Sequence, residues 1–299
     1  MFTKKRPDGT YIKNLHYFTQ LLPYLMPSRT DAVIYFEQEF DVTNTLEYVR
    51  LKKENTDWPK ISVFYLILYA VIRVIAQRPK MNRFVSGCRY YQRNRISFNF
   101  VAKREMSDGG EEINVTMSFS PLLTLKGFCK KIDDYISSIK KGSSTSAEKV
   151  NAFVTRLPRF CIKFAIWGIR FLDYHNALPK SVIDSLPFFS TVFFTNLGSV
   201  GIDAPFHHNF EIGNCGIFCA IGKFRKDACI GADGKVDMKD KVKITFTYDD
   251  RITDGIYCAR AIDWVRDFVE NPEKLEVPPE LNSEQLSALL LAENELNPE

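Results

Sequence analysis

The chain has 299 residues, of which 45% are hydrophobic and 25% charged, so a mainly disordered protein is excluded. Forty Lys and Arg against 36 Asp and Glu give a formal net charge of +4 without a dense basic run, which argues against nucleic-acid binding. The longest uncharged apolar stretch of the first half, 61–72, is much shorter than the roughly 20 residues that span a bilayer, so we expect no transmembrane segment.

Helix and strand patterns alternate along the chain. Alternating apolar and polar residues predict half-buried strands, a period near 3.6 predicts helices, and short runs that are apolar on both phases suit central strands. In chain order the predicted elements are a strand at 34–42, a helix at 60–78, strands at 96–102 and 113–119, helices at 125–139 and 157–174, central strands at 191–196 and 216–221, a hairpin turn at 232–235, a strand at 242–248 and a helix at 258–269. This order predicts an α/β fold, a two-layer mixed β-sheet with packed helices.

We interpret residues 1–275 as one domain, because no internal repeat is visible and the linker-like stretch 142–147 is too short to separate two. The tail 276–299 carries six acidic residues and no Lys or Arg. We expect this acidic tail to dock loosely or to be disordered.

The helix predicted at 157–174 stands apart because it is densely apolar, with Arg159, Lys163 and Arg170 near one face. A helix of this kind can act as a lid, lie on a membrane surface, or pack on its own domain. We expect packing on its own domain, the usual arrangement in globular proteins.

Seven cysteines, odd in number and without a C-x-x-C pair, are typical of reduced core residues. The basic residues near the first Met are followed by a polar stretch rather than by the apolar core of a signal peptide. Both observations predict a cytoplasmic protein.

Three motifs carry the chemical signal: F-F-T-N-L-G-S-V-G-I-D at 193–203, C-G-I-F-C-A-I-G-K at 215–223 and T-F-T-Y-D-D-R-I-T-D-G at 245–255. With F-D-V-T at 40–43 and R-P-K-M-N at 78–82, they resemble, in order and spacing, the catalytic domain of the dihydrolipoyl acyltransferases of 2-oxoacid dehydrogenase complexes and its relative chloramphenicol acetyltransferase. The resemblance extends to about residue 273. It implies a chloramphenicol acetyltransferase-like fold with an enlarged helical insertion at 142–187. Because no lipoyl domain precedes the motifs, we do not expect membership of such a complex.

In these families a histidine in an H-x-x-x-D-G motif is the general base for an acceptor that attacks an acyl thioester. Here the matching D-R-I-T-D-G places Asp250 at the histidine position. A carboxylate with an ordinary pKa of about 4 accepts a proton poorly at pH 7 unless burial raises that pKa. Asp250 is therefore either the base or a polar residue of a turn.

Thr195 aligns with the serine that, in the resembled families, donates a hydrogen bond to the oxyanion of the tetrahedral intermediate, although Thr is also an ordinary strand residue. The resemblance places the following turn, with Asn196 and Gly198, at the substrate channel. Thr195, Asn196 and Gly198 are therefore the residues expected to bind the cofactor.

Asp254 matches the motif aspartate, which braces the site in the resembled families, often through an arginine. Arg6 and Arg29 are the candidate partners in the N-terminal arm. Asp254 also directly precedes a predicted helix and would make a good N-cap, and both roles are compatible.

The four histidines complete the set of candidate bases. His207 and His208 are adjacent, in a segment that the related enzymes run close to the active site, so either ring could be a relocated base, bind a metal or cap a loop. His16 and His175 stand in aromatic surroundings, and we expect them to be packing residues.

The leading hypothesis is a coenzyme A-dependent acyltransferase that transfers an acyl group from a thioester to a small hydroxyl, amine or thiol acceptor. Asp250, His207 or His208 would handle the proton. The alternative is a catalytically inactive homologue that acts as a binding or assembly subunit. The resemblance also implies a homotrimer with the channel between adjacent subunits, covered by the helix at 157–174. No bound metal is expected.

Overall fold

A computed structural model describes residues 4–103, 110, 112–140, 154–231 and 233–297. The predicted linker 142–147 and the first residue of the turn predicted at 232–235 lie outside them. The strands are β1 (Gly9–Tyr11), β2 (Val33–Asp41), β3 (Arg83–Ser86), β4 (Arg89–Arg93), β5 (Ile96–Lys103), β6 (Glu112–Phe119), β7 (Val192–Asn196), β8 (Ile217–Ile230) and β9 (Val236–Asp249). The α-helices are α1 (Tyr17–Leu25), α2 (Thr43–Glu54), α3 (Val63–Gln77), α4 (Leu125–Lys140), α5 (Arg159–Tyr174), α6 (Lys180–Ser185), α7 (Gly255–Glu270) and α8 (Ser283–Leu289).

The main sheet has six strands in the order β2-β9-β8-β7-β5-β6. Strand β7 runs parallel to both of its neighbours, β5 and β8, while every other pair in this sheet is antiparallel. A smaller antiparallel sheet has the order β1-β4-β3. The mixed sheet with helices packed on it confirms the predicted fold class.

Helix α3 forms the centre of the core on one face of the main sheet. It begins where the Ser62 hydroxyl accepts a hydrogen bond from the Tyr65 amide at 3.2 Å, and it ends before Pro79, which cannot continue a helix. Leu66 and Leu68 are both 0% exposed, and α2, α4, α7 and α8 surround the helix. Each such side chain contributes about 1.5–3 kcal/mol of burial free energy, which explains why α3 is apolar on nearly every side.

The opposite face of the main sheet is covered by the chain between β7 and β8 rather than by helices. Thr245 Oγ1 donates a hydrogen bond to the carbonyl oxygen of Pro205 at 2.6 Å, and Thr247 Oγ1 donates one to the carbonyl oxygen of His207. The second half of β9 is therefore buried on both faces. The prediction of a half-buried strand at 242–248 is wrong in this respect, because an irregular segment covers the second face.

The same correction applies to β5, predicted as half-buried at 96–102. Ser97 and Asn99, on the face opposite its Phe residues, are 1% and 0% exposed. They lie inside the sheet, where the Ser97 backbone amide donates to Thr191 Oγ1 at 3.1 Å and the Asn99 side-chain amide donates to Thr116 Oγ1 at 2.7 Å. Small polar side chains can therefore lie in the covered interior of a sheet, and their alternation with Phe residues does not by itself indicate an exposed face.

Strands β8 and β9 extend beyond the sheet as a two-stranded ribbon. Strand β8 pairs with β7 only over 217–221, and β9 pairs with β2 only from Lys241 onward. The outer parts, 227–230 and 236–239, pair with each other alone among the described residues. Gly234, in the connecting turn, has a φ of +77°, which L residues rarely adopt.

The acidic tail packs on the same core as α3. Leu289 of α8 is 0% exposed, the Ala292 amide donates to the Asn94 carbonyl oxygen at 2.9 Å, and Ser120 Oγ donates to the Leu296 carbonyl oxygen at 3.0 Å. The buried Leu289 side chain and these two hydrogen bonds therefore hold the acidic tail against the rest of the fold.

Helix α5 leaves most of its apolar side chains exposed. Asp173 is its one buried residue, while Trp167 is 57% exposed. The expectation that α5 packs its apolar face on its own domain is therefore wrong. None of the helices in the described part of the chain combines the length and apolar character needed to cross a bilayer.

Candidate functional site

Asp250 follows the last residue of β9, where the chain turns towards α7. Its amide donates to the Ala32 carbonyl oxygen at 2.8 Å, which fixes the turn against the start of β2. The residue lines an apolar cavity of about 300 Å³ between β2, β9 and α7. It also lines a second cavity of about 670 Å³ beneath α1, which is more polar. Asp250 thus lies where the two cavities meet.

The Asp250 carboxylate is a better proton acceptor than an ordinary aspartate. Burial raises its pKa first, and the neighbouring charge of Asp249 raises it further. Asp249 itself is held by a buried ion pair with Arg251 at 2.7 Å. Among the described residues, no side chain or backbone group is hydrogen-bonded to the Asp250 carboxylate, which leaves both of its oxygens available to a ligand.

Asp254 caps helix α7. Its carboxylate accepts a hydrogen bond from the Tyr257 amide at 2.9 Å, as the sequence predicts for an N-cap. Neither predicted arginine reaches it: Arg6 pairs with Asp8 at 2.6 Å, and Arg29 donates to backbone carbonyl oxygens of the segment 210–213. Neither candidate arginine is therefore the partner of Asp254 within this chain, because Arg6 is also paired with Asp173 and Arg29 is bound by the 210–213 backbone.

Thr195 lies on the other face of the sheet from Asp250. It pairs with Ala220, which in turn pairs with Thr245, so all three side chains point to the face covered by the β7–β8 segment. Asp250 follows Thr245 by five positions, roughly 17 Å along the strand at about 3.3 Å per residue. One chain therefore does not bring Thr195 and Asp250 to the same reacting atom.

A third cavity, of about 420 Å³, opens at the carboxyl end of β7. Asn196 and Gly198 line it together with apolar residues of α3, and Lys53 and Lys60 stand at its rim. A Cβ at Gly198 would overlap the backbone of Gly222, so glycine is required for the two chains to approach. The cavity thus combines an apolar wall with two cations.

His207 is held in one tautomer on the Thr195 face of the sheet. Its ring stacks on Phe218, with centroids 3.8 Å apart, and its Nδ1 lies 3.0 Å from the His208 carbonyl oxygen. Because a carbonyl oxygen only accepts, Nδ1 carries the hydrogen and Nε2 keeps its lone pair. Burial lowers the pKa of His207, which favours the neutral ring. His207 can accept a proton, but its ring lies over Phe218, which pairs with Phe193 rather than with Thr195.

His208 is exposed, and its ring packs edge-on against Phe210. Neither His207 nor His208 lines the cavities beside Asp250. The described residues contain no group of three or more His, Cys, Asp or Glu arranged to hold a metal ion.

His16 is the histidine that sequence reasoning missed. It lines the polar cavity together with Asp250, Lys80 and Arg83, and it is exposed rather than packed. Its Nδ1 accepts a hydrogen bond from the Phe18 amide at 3.3 Å at the start of α1, so in the neutral ring Nε2 is a donor. No spacing in the sequence indicates this position, because α1 reaches Asp250 only through the tertiary fold.

Comparison with known proteins places this arrangement in context. No curated protein sequence matches the chain. A probable dihydrolipoamide acetyltransferase from Listeria monocytogenes superposes with a TM-score of 0.57 at 14% identity, covering 91% of this chain and 98% of that one. The cubic core of a pyruvate dehydrogenase multienzyme complex gives 0.56 at 11% identity, covering 88% and 93%.

Chloramphenicol acetyltransferase gives a TM-score of 0.54 at 12% identity, covering 87% of this chain and 99% of that one. Residues 190–277 match the family model of the 2-oxoacid dehydrogenases acyltransferase catalytic domain, and this range holds β7, β8, β9, α7 and the D-R-I-T-D-G motif. The resemblance inferred from the sequence is confirmed: the chain has the fold of the dihydrolipoamide acetyltransferase cores and of chloramphenicol acetyltransferase, and it carries over residues 190–277 the catalytic-domain signature of the 2-oxoacid dehydrogenase acyltransferases.

Proposed function

We propose that the chain is a coenzyme A-dependent acyltransferase that moves an acyl group from a thioester to a small acceptor. The position of Asp250 is the observation that supports this proposal. Its carboxylate stands at the position of the motif histidine, borders an apolar and a polar cavity, and has a raised pKa. A proton acceptor between two cavities suits a reaction in which two substrates meet.

In the proposed reaction Asp250 accepts the proton of the acceptor's hydroxyl, amine or thiol while that atom attacks the thioester carbonyl carbon. The tetrahedral intermediate then collapses, the carbon–sulfur bond breaks, and the proton passes to the leaving thiolate of coenzyme A. Thr195 Oγ1 donates a hydrogen bond to the oxyanion, an interaction of the kind that contributes about 3 kcal/mol to a transition state.

The separation of Thr195 and Asp250 within one chain supports a site completed by a second chain. We therefore propose a homotrimer, in which Thr195 of one subunit faces Asp250 of the next across the interface. A closed cyclic assembly repeats this contact three times. The Asp254 carboxylate then acts on the site indirectly, by fixing the turn that carries Asp250 to the start of α7.

The cavity at the end of β7 is the proposed coenzyme A cleft. Asn196 and Gly198 offer polar groups beside an apolar wall that suits the pantetheine arm, and Lys53 and Lys60 suit the phosphates. We expect Lys53→Gln and Lys60→Gln to weaken acyl-CoA binding in calorimetry. The salt dependence of binding should fall in parallel.

Subunit mixing tests the shared site. Asp250→Asn and Thr195→Val are each expected to lose about 10² to 10⁴ of the acyl-transfer rate. Trimers formed from equal amounts of the two variants contain some interfaces with both native residues, and we expect recovery of roughly a quarter of wild-type activity. Mixing Asp250→Asn with an Asp250→Asn/Thr195→Val variant is the control and should recover nothing. Equal activity of both mixtures would contradict the interfacial site.

His207 as the base is the rival assignment, because its tautomer leaves Nε2 free. In that case His207→Gln, and not Asp250→Asn, should remove most of the rate. The matched control is His208→Gln, which changes an exposed neighbour. If His207→Gln alone abolishes transfer, Asp250 is a turn residue.

A non-catalytic binding or assembly subunit is the second candidate function. It is favoured by Asp254, which caps a helix and has no arginine partner among the described residues. Acyl-CoA binding without turnover on a broad acceptor panel, together with activity created by Asp250→His, would support this candidate over the enzyme.

A further inference from the structure

Helix α5 carries a row of aromatic rings that are largely exposed to solvent. At 3.6 residues per turn, four aromatic residues spaced 4, 3 and 4 positions apart fall within an arc of roughly 60°. Neighbouring rings stack, with centroids 5.6 Å and 5.4 Å apart. This aromatic face consists of Phe160 (73% exposed), Phe164 (70%), Trp167 (57%) and Phe171 (41%).

Positive charge borders the aromatic face along one side. Arg159, Lys163 and Arg170 lie on the helix roughly 90° from the centre of the aromatic face. None of the three forms an ion pair with another described residue, and no Asp or Glu occurs between positions 154 and 172. The side of α5 that meets solvent is thus aromatic and cationic, without opposing acids.

The opposite side of α5 is fixed to the body of the protein. Asp173 makes an ion pair with Arg6 at 2.8 Å, and Ser86 Oγ donates to the Asp173 backbone carbonyl oxygen at 3.1 Å. Ile169 packs against the small apolar cluster of Leu178, Ile183 and Phe189. These contacts hold the aromatic face outward.

We propose that α5 lies in the plane of an anionic membrane surface, with the aromatic face among the acyl chains and the three basic residues at the lipid headgroups. Charge complementarity decides the occupant: anionic lipid matches Arg159, Lys163 and Arg170, whereas a second copy of this chain would have to supply acids opposite them. A fluid lipid surface also accommodates a convex row of large rings without a shaped groove. Aromatic and basic residues on adjoining sides of one helix are typical of helices that bind in the interface rather than span it. This inference is independent of the proposed acyl transfer.

Vesicle flotation with the full chain tests the proposal. We expect co-flotation with vesicles of phosphatidylcholine containing about 30% phosphatidylglycerol, little with phosphatidylcholine alone, and a decrease as salt is raised. Phe164→Ser/Trp167→Ser should lower the bound fraction at least tenfold, and Lys163→Gln/Arg170→Gln should remove the preference for anionic lipid. The control Ile230→Ser/Val236→Ser removes two residues of similar exposure, 77% and 67%, from the ribbon, and it should bind as the wild type does.

Fluorescence adds a readout that is local to the helix. With Trp58 and Trp264 replaced by Phe, emission from Trp167 should shift to the blue on addition of anionic vesicles and be quenched by brominated lipid. Absence of flotation by the wild type, or equal binding by the aromatic variant and its control, would overturn the proposal. So would sedimentation in which Phe164→Ser/Trp167→Ser dissociates an oligomer without lipid, because the face would then seat a second copy.

Discussion

The buried guanidinium of Arg6 tests whether burial sets the energy of an ion pair in this fold. Arg6 makes ion pairs with Asp8 at 2.6 Å and with Asp173 at 2.8 Å, and its side chain is 1% exposed. Arg50 on α2 makes two pairs of the same lengths, with Glu47 at 2.6 Å and Glu54 at 2.8 Å, but its side chain is 59% exposed. The two arginines thus differ in burial far more than in geometry.

Arg6→Leu is expected to lower the free energy of unfolding by about 3–5 kcal/mol at pH 7, because it leaves two carboxylates buried without their cation. Arg50→Leu should cause a much smaller change, since water screens an exposed pair. Urea unfolding followed by circular dichroism measures both. Similar losses in the two variants would refute the reasoning that burial, and not contact distance, sets the energy.

The stability of the wild type and of Arg6→Leu should also differ in its dependence on pH. Burial opposes ionisation of Asp8, but the charges of Arg6 and Arg93 hold the pKa of Asp8 below its usual value. A lowered pKa means that Asp8 contributes stability above the unfolded-state pKa of about 4, and that this contribution is lost as pH falls through the lower folded value. Burial raises the pKa of Asp173, the other partner of Arg6, so Asp173 makes no such contribution. In Arg6→Leu burial should dominate and raise the pKa of Asp8. The difference in unfolding free energy between the wild type and Arg6→Leu should therefore become smaller as the pH is lowered through the range of these carboxyl pKa values.

Three further predictions concern activity and packing. Because burial raises the pKa of Asp250, acyl transfer should increase as the pH rises through a pKa higher than that of an ordinary aspartate, and the pH–rate profile of Asp250→Asn should lack this step. Leu289→Ala should cost about 2–5 kcal/mol in denaturant unfolding because the side chain is 0% exposed, whereas Leu290→Ala, at 44% exposed, should cost much less. Gly198→Ala should destabilise the fold and weaken acyl-CoA binding because its Cβ meets backbone, while Gly168→Ala, with open space around its Cβ, should stabilise α5 by about 0.5–1 kcal/mol.

The elements with a strong period were predictable, because burial on one face leaves a direct mark on the sequence. The helix predicted at 60–78 is α3, at 63–77, and the strand predicted at 113–119 is β6 with its alternating burial. Asp254 was recognisable as an N-cap, since capping depends on residues next to each other in the chain. Features that depend on residues close together in the chain can be predicted from the sequence alone.

The parts that depend on distant segments were not predictable. Whether Thr195 and Asp250 share a face depends on strand register and order, which pair β7 with β8 and β8 with β9. The place of His16 beside Asp250 depends on how the N-terminal arm crosses the fold. The exposure of α5 could not be read from its apolar pattern, because the same pattern serves a helix that packs on protein and one that faces outward.

The ribbon formed by the outer parts of β8 and β9 has a consequence for how the chain avoids aggregation. Each outer strand has a partner on one side only among the described residues, so backbone donors and acceptors face outward along both edges. Charged side chains lie along the ribbon, with Lys239 paired to Asp237 at 3.3 Å within it and Lys226 paired to Asp240 at 3.2 Å at its base. Such charges discourage an extended strand of another molecule from adding to the edge. Their replacement by Val or Ile, beside the already exposed Ile230, would turn the ribbon into a template for intermolecular β-sheet.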